Sequence, residues 1–327
     1  MVSRVGSLMK AAVLHQAGAI PQFEDFDDPV AGEGEVLVKV SAASLKPIDR
    51  VMASGGHYAS FRKFPVVCGV DGAGTLSDGT RVYFGGPRKP FGAMAEWTVV
   101  PKTLCFPVPG GLDDATAAAI LNPAASSWLP LKWRTPLRPG ETVLIMGATG
   151  VAGKLAVQIA KLLGAGRVIA AGRNPEALAS LKTLGADVTV MIDEPGQDLV
   201  QVFAEAIRGG VDVVLDYLWG KPTEALVTTL TGHELAAEAR ITRLVEIGES
   251  AGPTISLPGA ALRSSGLEIY GSGGGSVSWK AILEAVPKIL EHAAGGELKL
   301  ETKRFPLSEV ASVWNDRTSG ERVVFVP

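Results

Sequence analysis

Residues 141–173 read ETVLIMGATGVAGKLAVQIAKLLGAGRVIAAGR, and the strongest structural signal of the chain lies here. The run at 143–146 is hydrophobic on both faces, which is typical of a buried parallel strand. After a glycine-containing turn, apolar residues recur at helical spacing from Leu155 to Leu163, and Gly164 is placed to end that helix. A second apolar strand follows at 167–171. This order predicts a βαβ unit.

The turn between the strand and the helix contains Gly147, Gly150 and Gly153. Gly147 suits a tight turn, Gly150 lets a pyrophosphate approach the backbone, and Gly153 lets the helix lie close to the strand. The helix N-terminus offers free N–H groups and its dipole to phosphate. In this context the turn predicts a dinucleotide site, which also includes Thr149 and Val151. The alternative is a glycine turn that binds nothing.

The residues after the second strand bear on the choice of cofactor. An NAD site needs an acidic residue about 20 positions past the glycines, to bind the ribose 2′-hydroxyl. This chain has Arg173 and Asn174 there and no carboxylate. Because a guanidinium can pair with a phosphate through two hydrogen bonds, the sequence favours the 2′-phosphate of NADP(H). The alternative is that Arg173 is a solvated residue beside a helix cap at Asn174.

Length and composition limit the class of protein. A chain of 327 residues, 46% hydrophobic and 20% charged, is typical of a soluble α/β enzyme with two domains. A net charge of −3 without a basic run argues against nucleic acid or an anionic membrane as partner. Cys68 and Cys105 are the only cysteines, so no disulfide framework is implied and a reducing cytoplasm fits. The longest uncharged segment, 115–131, is interrupted by prolines, and we expect no membrane span.

The remainder of the chain changes its pattern twice. Short strands separated by turns predict a β-rich, barrel-like module, with strands at 10–14, 35–42, 72–76, 81–84 and 94–100. Strands and helices then alternate from about 123 to 273, with further strands at 188–192, 211–216, 241–247 and 267–270. This alternation predicts a doubly wound parallel sheet. An amphipathic helix follows residue 273, and short strands at 298–326 are expected to rejoin the first module.

A β-rich module, a Rossmann insertion and a C-terminal return resemble the medium-chain dehydrogenase/reductase superfamily. The resemblance is carried by MKAAVL from residue 9, GEVLVKVSAASLKPID from 34, GVDGAG from 69 and GERVVFVP from 320. Within the superfamily the chain resembles the zinc-independent quinone oxidoreductase and enoyl reductase branch. This resemblance implies an α/β fold: a Rossmann doubly wound parallel sheet at 123–273, and a β-rich GroES-like catalytic domain formed by 1–122 and 274–327.

We expect no metal in the active site. Lys46 and Val70 stand where zinc-dependent relatives carry their catalytic Cys and His, and lysine is a poor zinc ligand at neutral pH. The four-cysteine zinc lobe of those relatives has no counterpart. A new site formed by His57, Cys68 and Asp71 is conceivable, but its spacing has no precedent.

Hydride transfer from NADPH to a quinone, or to the C=C of an α,β-unsaturated carbonyl, is the reaction that the resemblance implies. The carbonyl oxygen that gathers charge then needs hydrogen-bond donors. Tyr58 matches a position where relatives place a pocket tyrosine, whose phenol can donate to an enolate. A packing aromatic is the alternative for Tyr58. Lys46 offers an ammonium as donor, and a solvated loop charge is the alternative there.

Further cofactor contacts are also implied by the resemblance. Ser126 stands where relatives use a small hydroxyl near the nicotinamide, or else it bonds its own helix backbone. Ile247 and Gly248 end a strand at the carboxyl edge of the sheet, where open α/β folds bind ligands, and Ser272 follows the next strand. Arg322 matches a basic residue that approaches cofactor phosphate, with an exposed strand charge as the alternative.

Two other functions stay open at this stage. A ketone or aldehyde reductase would use NADPH and a protein donor, and a non-catalytic NADPH-binding protein would keep the fold without turnover. The expected partner is a small-molecule quinone or enone, with neither nucleic acid nor membrane. The resemblance implies a cytoplasmic homodimer.

Overall fold

The computed structural model describes residues 7–56, 60–193, 196–232, 240–316 and 320–327. The chain divides into two compact units, the first formed by Met1–Leu121 and Val286–Pro327 and the second by Asn122–Ala285. The sequence analysis places the boundaries after residues 122 and 273. The second boundary of the structure lies later, after residue 285, because the segment following residue 273 and the first half of the next helix cluster with the second unit.

Strands dominate the N-terminal part of the first unit. Its elements in chain order are β1 (Leu8–Leu14), β2 (Gln22–Asp27), β3 (Glu35–Ser44), α1 (Pro47–Ser54), β4 (Val66–Val67), β5 (Asp71–Thr75), β6 (Arg81–Gly85), β7 (Trp97–Pro101), β8 (Cys105–Pro107) and α2 (Asp114–Leu129). The sequence analysis misses β2, whose acidic residues have low strand propensity. Antiparallel pairing with the apolar β1 holds β2 in place at the edge of a sheet.

Strands and helices alternate in the second unit. Its elements are β9 (Thr142–Met146), α3 (Val151–Leu162), β10 (Arg167–Gly172), α4 (Pro175–Leu181), β11 (Val188–Met191), α5 (Leu199–Ala206), β12 (Val213–Asp216), α6 (Gly220–Thr231), β13 (Thr242–Glu246), α7 (Gly259–Arg263) and β14 (Leu267–Gly271). The next helix, α8 (Trp279–Ala294), contains the boundary between the units. The predicted strands all form, with ends that shift by one or two residues.

A doubly wound parallel sheet is confirmed by the strand order β11-β10-β9-β12-β13-β14. The chain starts in the middle at β9, proceeds outward to β11, and returns to the other side of β9 with β12. The order therefore reverses between β9 and β12, which in open α/β sheets is where ligands bind, beyond the carboxyl ends of the strands. Leu144, Ile169 and Val214 are fully buried in this sheet.

The C-terminal segment returns to the first unit, as the sequence predicts. It forms β15 (Thr302–Pro306), α9 (Val310–Val313) and β16 (Arg322–Val326). β16 pairs antiparallel with β3 and parallel with β15, in a sheet of order β15-β16-β3-β5-β6-β8. Phe325 on β16 packs in the same buried cluster as Val38 and Phe84.

Within the part of the chain that the structure describes, none of the helices is both long and apolar enough to cross a bilayer.

The contact between α3 and the end of β9 shapes the centre of the second unit. Leu155 and Ile159 of α3 are fully buried, and each such side chain contributes roughly 1.5–3 kcal/mol through burial. A Cβ atom on Gly153 would lie 2.4 Å from the carbonyl oxygen of Gly147 and 2.5 Å from the Cα of Ala148. The helix can therefore lie this close only without a side chain at residue 153.

We expect Gly153→Ala to lower the free energy of unfolding by about 1–3 kcal/mol, because the added methyl forces the backbone of α3 away from β9. Urea unfolding followed by circular dichroism measures the change. Gly271→Ala is the matched control in the same unit, since a Cβ there meets nothing within 4 Å. Equal stability of the two variants would contradict the close-packing role of Gly153.

Candidate dinucleotide-binding site

The glycine turn after β9 has the backbone geometry that its sequence predicts. Gly147 has a φ of +83°, in the left-handed region that favours glycine, and Gly153 lies against the end of the strand. Among the described residues, the one atom within 4 Å of a Cβ on Gly150 would be the Gly147 carbonyl oxygen, at 3.7 Å. The tight turn and the close helix packing are confirmed. Open space in front of Gly150 fits the approach of a pyrophosphate, which stays a prediction.

The N-terminus of α3 has no capping side chain from the described residues. Gly150 is its N-cap, Val151 is its first residue, and the N–H of Lys154 is 2.8 Å from the Gly150 carbonyl. Helices α4 and α5 differ, since the side chains of Asn174 and Asp198 cap them. The free N–H groups of the first turn of α3 and its dipole therefore make this helix end suited to a phosphate.

Arg173 and Asn174 lie directly beyond the carboxyl end of β10. Arg173 is exposed, and no described residue forms an ion pair or a hydrogen bond with its guanidinium. Asn174 uses its side-chain carbonyl as the cap of α4, which leaves its amide N–H groups for a ligand. Thr149 packs against Gly172, the residue before Arg173, since a Cβ on Gly172 would lie 2.5 Å from the Thr149 methyl carbon. The turn is thereby fixed beside the strand end that carries the guanidinium.

The residues predicted beyond β13 and β14 lie at the same carboxyl edge. The N–H groups of Ile247 and Gly248 donate to the carbonyl of Asp216, at 2.8 and 3.2 Å. The N–H of Ser272 donates to the carbonyl of Glu246 at 2.9 Å. These bonds hold the ends of β12, β13 and β14 level, so the predicted residues line one side of the switch point.

A tyrosine that the sequence analysis misses lies at the switch point. Tyr217 directly follows β12, and its hydroxyl is 2.9 Å from Ser126 Oγ. The Ser126 hydroxyl also lies 2.7 Å from the carbonyl of Pro123 in its own helix. The helix-backbone bond that the sequence analysis gives as the alternative for Ser126 is therefore present, together with the contact to Tyr217. Burial raises the pKa of Tyr217 to about 12, and the phenol keeps its proton at neutral pH. The sequence could have indicated Tyr217, because this residue directly follows the predicted strand at 211–216 and open α/β sheets bind ligands beyond the carboxyl ends of their strands.

The turn after β12 is held by a buried carboxylate. Asp216 accepts hydrogen bonds from the N–H groups of Leu218 and Trp219, at 2.9 and 3.1 Å, and from the Thr223 hydroxyl at 2.6 Å. Trp219 has a φ of 54° and a ψ of −164°, a backbone conformation found almost exclusively at glycine. Such strain persists only where surrounding contacts over-determine the backbone, as the bonds to Asp216 do here.

A dinucleotide fits the residues at this edge. The open backbone at Gly150 and the uncapped end of α3 suit the pyrophosphate, and the exposed Arg173 suits a phosphate on the adenosine ribose. The edge beyond β12 and β13 is left for the second nucleotide half. These features lie wholly within the second unit.

Lys46 of the first unit occupies a place that the sequence does not reveal. Its side chain has 0% exposure, so the alternative of a solvated loop charge is wrong. The ammonium contacts the Asp71 carboxylate, donates to the carbonyl of Ser44 at 2.9 Å and lies 3.9 Å from Asp49 Oδ2. Because these groups already occupy it, the structure gives no support to Lys46 as a donor to substrate.

Both carboxylates near Lys46 also accept hydrogen bonds from other groups of the first unit. Asp49 accepts from the main-chain N–H of Lys46 at 2.8 Å and from that of Val70 at 3.1 Å. Asp71 accepts from the Tyr83 hydroxyl at 2.9 Å. Burial raises the pKa of Asp49, an effect that Lys46 opposes, and burial with the charge of Asp71 raises the pKa of Tyr83 well above its usual range. We define Lys46, Asp49, Asp71 and Tyr83 as the buried ion cluster.

The structure also corrects the prediction that Arg322 contacts the cofactor phosphate. The exposed-strand alternative is wrong, because Arg322 begins β16 with only 8% exposure. Its guanidinium donates to the carbonyl of Leu45 at 3.1 Å, inside the first unit. A contact with cofactor phosphate would need an accessible guanidinium, so we do not retain Arg322 among the predicted cofactor residues.

Two residues of the sequence analysis, His57 and Tyr58, lie outside the described residues. The other members of the conceivable metal site do not suit a ligand role. Burial raises the pKa of the Cys68 thiol, which disfavours the thiolate that binds metal, and Asp71 is held by Lys46. Among the residues that are described, no group of three or more His, Cys, Asp or Glu side chains is placed to hold a metal ion.

Family models match both units. The model described as "Alcohol dehydrogenase GroES-like domain" matches residues 32–110, and the model described as "Zinc-binding dehydrogenase" matches residues 151–289. Together they cover β3 to β8 of the first unit and most of the second unit.

Two similar proteins are NADPH-dependent reductases or oxidoreductases by name. A probable NADPH-dependent quinone reductase of Emericella nidulans is 34% identical over 226 residues, which is 66% of this chain and 62% of that protein. The chloroplastic NADPH-dependent alkenal/one oxidoreductase of Arabidopsis thaliana is 31% identical over 205 residues, 58% of this chain and 51% of that protein. The matches thus span less than two thirds of the length of these two relatives.

Among solved structures, the quinone oxidoreductase of Thermus thermophilus, which has also been solved in complex with NADPH, is similar over almost the entire chain. It has a TM-score of 0.81 and 31% identity, with 98% of this chain and 100% of that chain covered. This full-length likeness agrees with the strand order, the glycine turn and the two family models. The chain therefore belongs to the medium-chain dehydrogenase/reductase superfamily, in its quinone-reductase branch.

Proposed function

We propose that this protein is an oxidoreductase that binds NADPH and delivers a hydride to a quinone or to the C=C of an α,β-unsaturated carbonyl. The observation that carries the proposal is the uncapped N-terminus of α3 next to an exposed Arg173, in a place where an NAD site needs an acid. The names of the Emericella, Thermus and Arabidopsis relatives support the substrate class.

The cofactor-binding residues of the proposal divide by nucleotide half. Gly150 and the first turn of α3 bind the pyrophosphate, while Arg173 and the Asn174 amide bind the 2′-phosphate. The remaining positions serve the turn or the second half, and they are Ser126, Gly147, Thr149, Val151, Gly153, Ile247, Gly248 and Ser272. Bound NADPH supplies a hydride, and the chain supplies its position and the surrounding electrostatics.

Reduction of either substrate consumes one hydride and one proton. The carbonyl oxygen gathers negative charge as the hydride arrives, so a donor must stabilise that charge and a proton must follow. We assign this role to Tyr58, whose phenol can donate to the oxygen. Lys46 is assigned to the buried ion cluster instead, because its ammonium is occupied by Asp71 and the Ser44 carbonyl.

The reaction we propose is independent of zinc. The Lys46 ammonium already neutralises Asp71 and approaches Asp49, so a metal ion on these carboxylates would have to displace a fully buried cation. A homodimer and a cytoplasmic location, both implied by the family resemblance, belong to the same proposal. Sedimentation of the purified chain tests the first of them.

A substrate panel tests the proposal directly. We expect oxidation of NADPH with a quinone or an enone and little with a simple ketone, because conjugation spreads the charge that the hydride brings, whereas the carbonyl of an isolated ketone needs stronger activation by an acid or a Lewis acid. The measurement is the loss of NADPH absorbance with each substrate. Turnover of the ketone alone would indicate a carbonyl reductase. Tight NADPH binding without any turnover would indicate a non-catalytic binding protein, and either result contradicts the proposal.

Arg173→Ala tests the choice of cofactor. We expect the Kd of NADPH to rise about ten- to a hundredfold, since a charge-assisted hydrogen bond contributes about 1.5–3 kcal/mol, and the Kd of NADH to change little. Calorimetric titration of both coenzymes gives the values. Arg208→Ala is the control, because Arg208 is an exposed arginine of the same unit at the opposite, amino edge of the sheet. Equal losses for NADPH and NADH would remove the 2′-phosphate role.

Lys46→Met tests the assignment of Lys46 to the buried ion cluster. We expect the free energy of unfolding to fall by about 3–5 kcal/mol, because two buried carboxylates lose their cation. Lys10→Met is the matched control, since Lys10 pairs with Asp25 at the surface of the same unit and should change stability by less than about 1 kcal/mol. Unaltered stability of Lys46→Met together with lost turnover would restore Lys46 as a catalytic donor.

A further inference from the structure

Tyr217, Ser126 and the carbonyl of Pro123 form a chain of two hydrogen bonds. Ser126 Oγ donates to the Pro123 carbonyl at 2.7 Å, and a carbonyl can only accept. By distance alone, either hydroxyl can be the donor of the 2.9 Å bond between Ser126 and Tyr217. Ser126 and Ser127 each have a helix carbonyl within reach, at 2.7 and 3.1 Å, and when their protons lie on these carbonyls the phenol is the donor to the serines. In that arrangement the phenol oxygen offers a ligand only its lone pair.

The position of Tyr217 places this acceptor at the switch point of the sheet. A Cβ on Gly147 would lie 3.4 Å from the Cβ of Tyr217, and a Cβ on Gly248 would lie 3.4 Å from its carbonyl oxygen. Tyr217 is thus flanked by the turn that begins the dinucleotide loop and by the turn after β13. With the adenosine half directed toward Arg173 beyond β10, the second nucleotide half lies on the side of β12 and β13.

Local contacts fix the backbone of Tyr217 in place. Its carbonyl accepts from the Ser250 hydroxyl at 2.8 Å, and its N–H donates to the Met146 carbonyl at 3.2 Å. The next residues are held by Asp216, which accepts from the N–H groups of Leu218 and Trp219. A group fixed in this way can orient a ligand, since little freedom is lost when the ligand binds.

We propose that the phenol oxygen of Tyr217 accepts a hydrogen bond from the amino group of the nicotinamide carboxamide, and so acts as a positioning residue for the ring. The nicotinamide ring system has one N–H donor group, the carboxamide NH₂, and an acceptor-only oxygen selects it over the carbonyl on the other arm of the amide. The orientation of the amide sets which edge of the ring turns toward Tyr217. This inference rests on the proposed binding of NADPH.

The Kd values of three ligands distinguish the contact of Tyr217 with the carboxamide from the other contacts of the cofactor. NADP⁺ carries the carboxamide, its 3-acetylpyridine analogue carries a methyl group in place of the NH₂, and adenosine 2′,5′-bisphosphate lacks the nicotinamide half. For Tyr217→Phe we expect the Kd of NADP⁺ to rise about fivefold, in line with loss of a neutral hydrogen bond, and the other two Kd values to stay unchanged. Calorimetric titration gives all of them without turnover.

Tyr270→Phe is the matched control. Tyr270 lies on β14 of the same unit, and its hydroxyl donates to Glu268 at the surface. We expect the three Kd values of this variant to match those of the unaltered protein. A Tyr217→Phe variant that weakens NADP⁺ and the acetylpyridine analogue equally would overturn the proposal, because the contact would then be to the ribose or to packing.

Joint replacement of Ser126 and Ser127 by Ala gives a second test that keeps the tyrosine ring. Both serines are hydrogen-bond partners of the phenol. Without them the phenol proton is free to turn toward the ligand, so we expect the preference for NADP⁺ over the acetylpyridine analogue to shrink. An unchanged preference would contradict the directed chain, also in the case that Tyr217→Phe does not fold. Failure of the unaltered protein to bind adenosine 2′,5′-bisphosphate would instead overturn the proposed cofactor, independently of Tyr217.

Discussion

The close approach of α3 to the end of β9 is the contact that organises the second unit. Without a side chain at Gly153, the first turn of the helix lies directly against the carbonyl of Gly147, and Gly150 is left facing open space. The same turn therefore provides both the close packing of α3 on β9 and the open backbone at Gly150 that suits a phosphate. Because no described side chain caps α3, its free N–H groups remain available where a phosphate can use them.

The first unit contains a buried charged side chain that requires compensation. Lys46 has no exposed surface, and removal of an ammonium from water is costly unless anions compensate it. Asp71 and Asp49 provide that compensation, and the carboxylates accept further hydrogen bonds from the main-chain N–H groups of Lys46 and Val70 and from the Tyr83 hydroxyl. The cluster explains why a residue that looks like a surface charge in the sequence is a structural cation in the fold.

Polar groups at the switch point show how hydrogen-bond direction can carry specificity. In the arrangement that we propose, the Ser126 proton lies on a helix carbonyl, the Tyr217 phenol donates to the serine, and the phenol oxygen is left as an acceptor. The strained backbone of Trp219, held by Asp216, keeps this turn in one conformation. In this arrangement, the preference for the amino group of the carboxamide depends on which group along the hydrogen-bond chain donates and which accepts.

Features that depend on neighbouring residues, the strands and helices of the βαβ unit and the glycine turn, follow from the amino-acid order alone. The alternation of strands and helices predicts the parallel sheet, and the order of modules that resembles the family predicts the return of the C-terminal strands to the first unit. Periodicity and turn chemistry act over a few residues, so they are visible directly in the chain. The burial of Lys46 and Arg322 and the pairing of Ser126 with Tyr217 emerge only in the folded protein. These contacts join residues far apart in the chain, such as Lys46 with Asp71 or Arg322 with Leu45, whose side chains meet only when the strands and helices that carry them have packed.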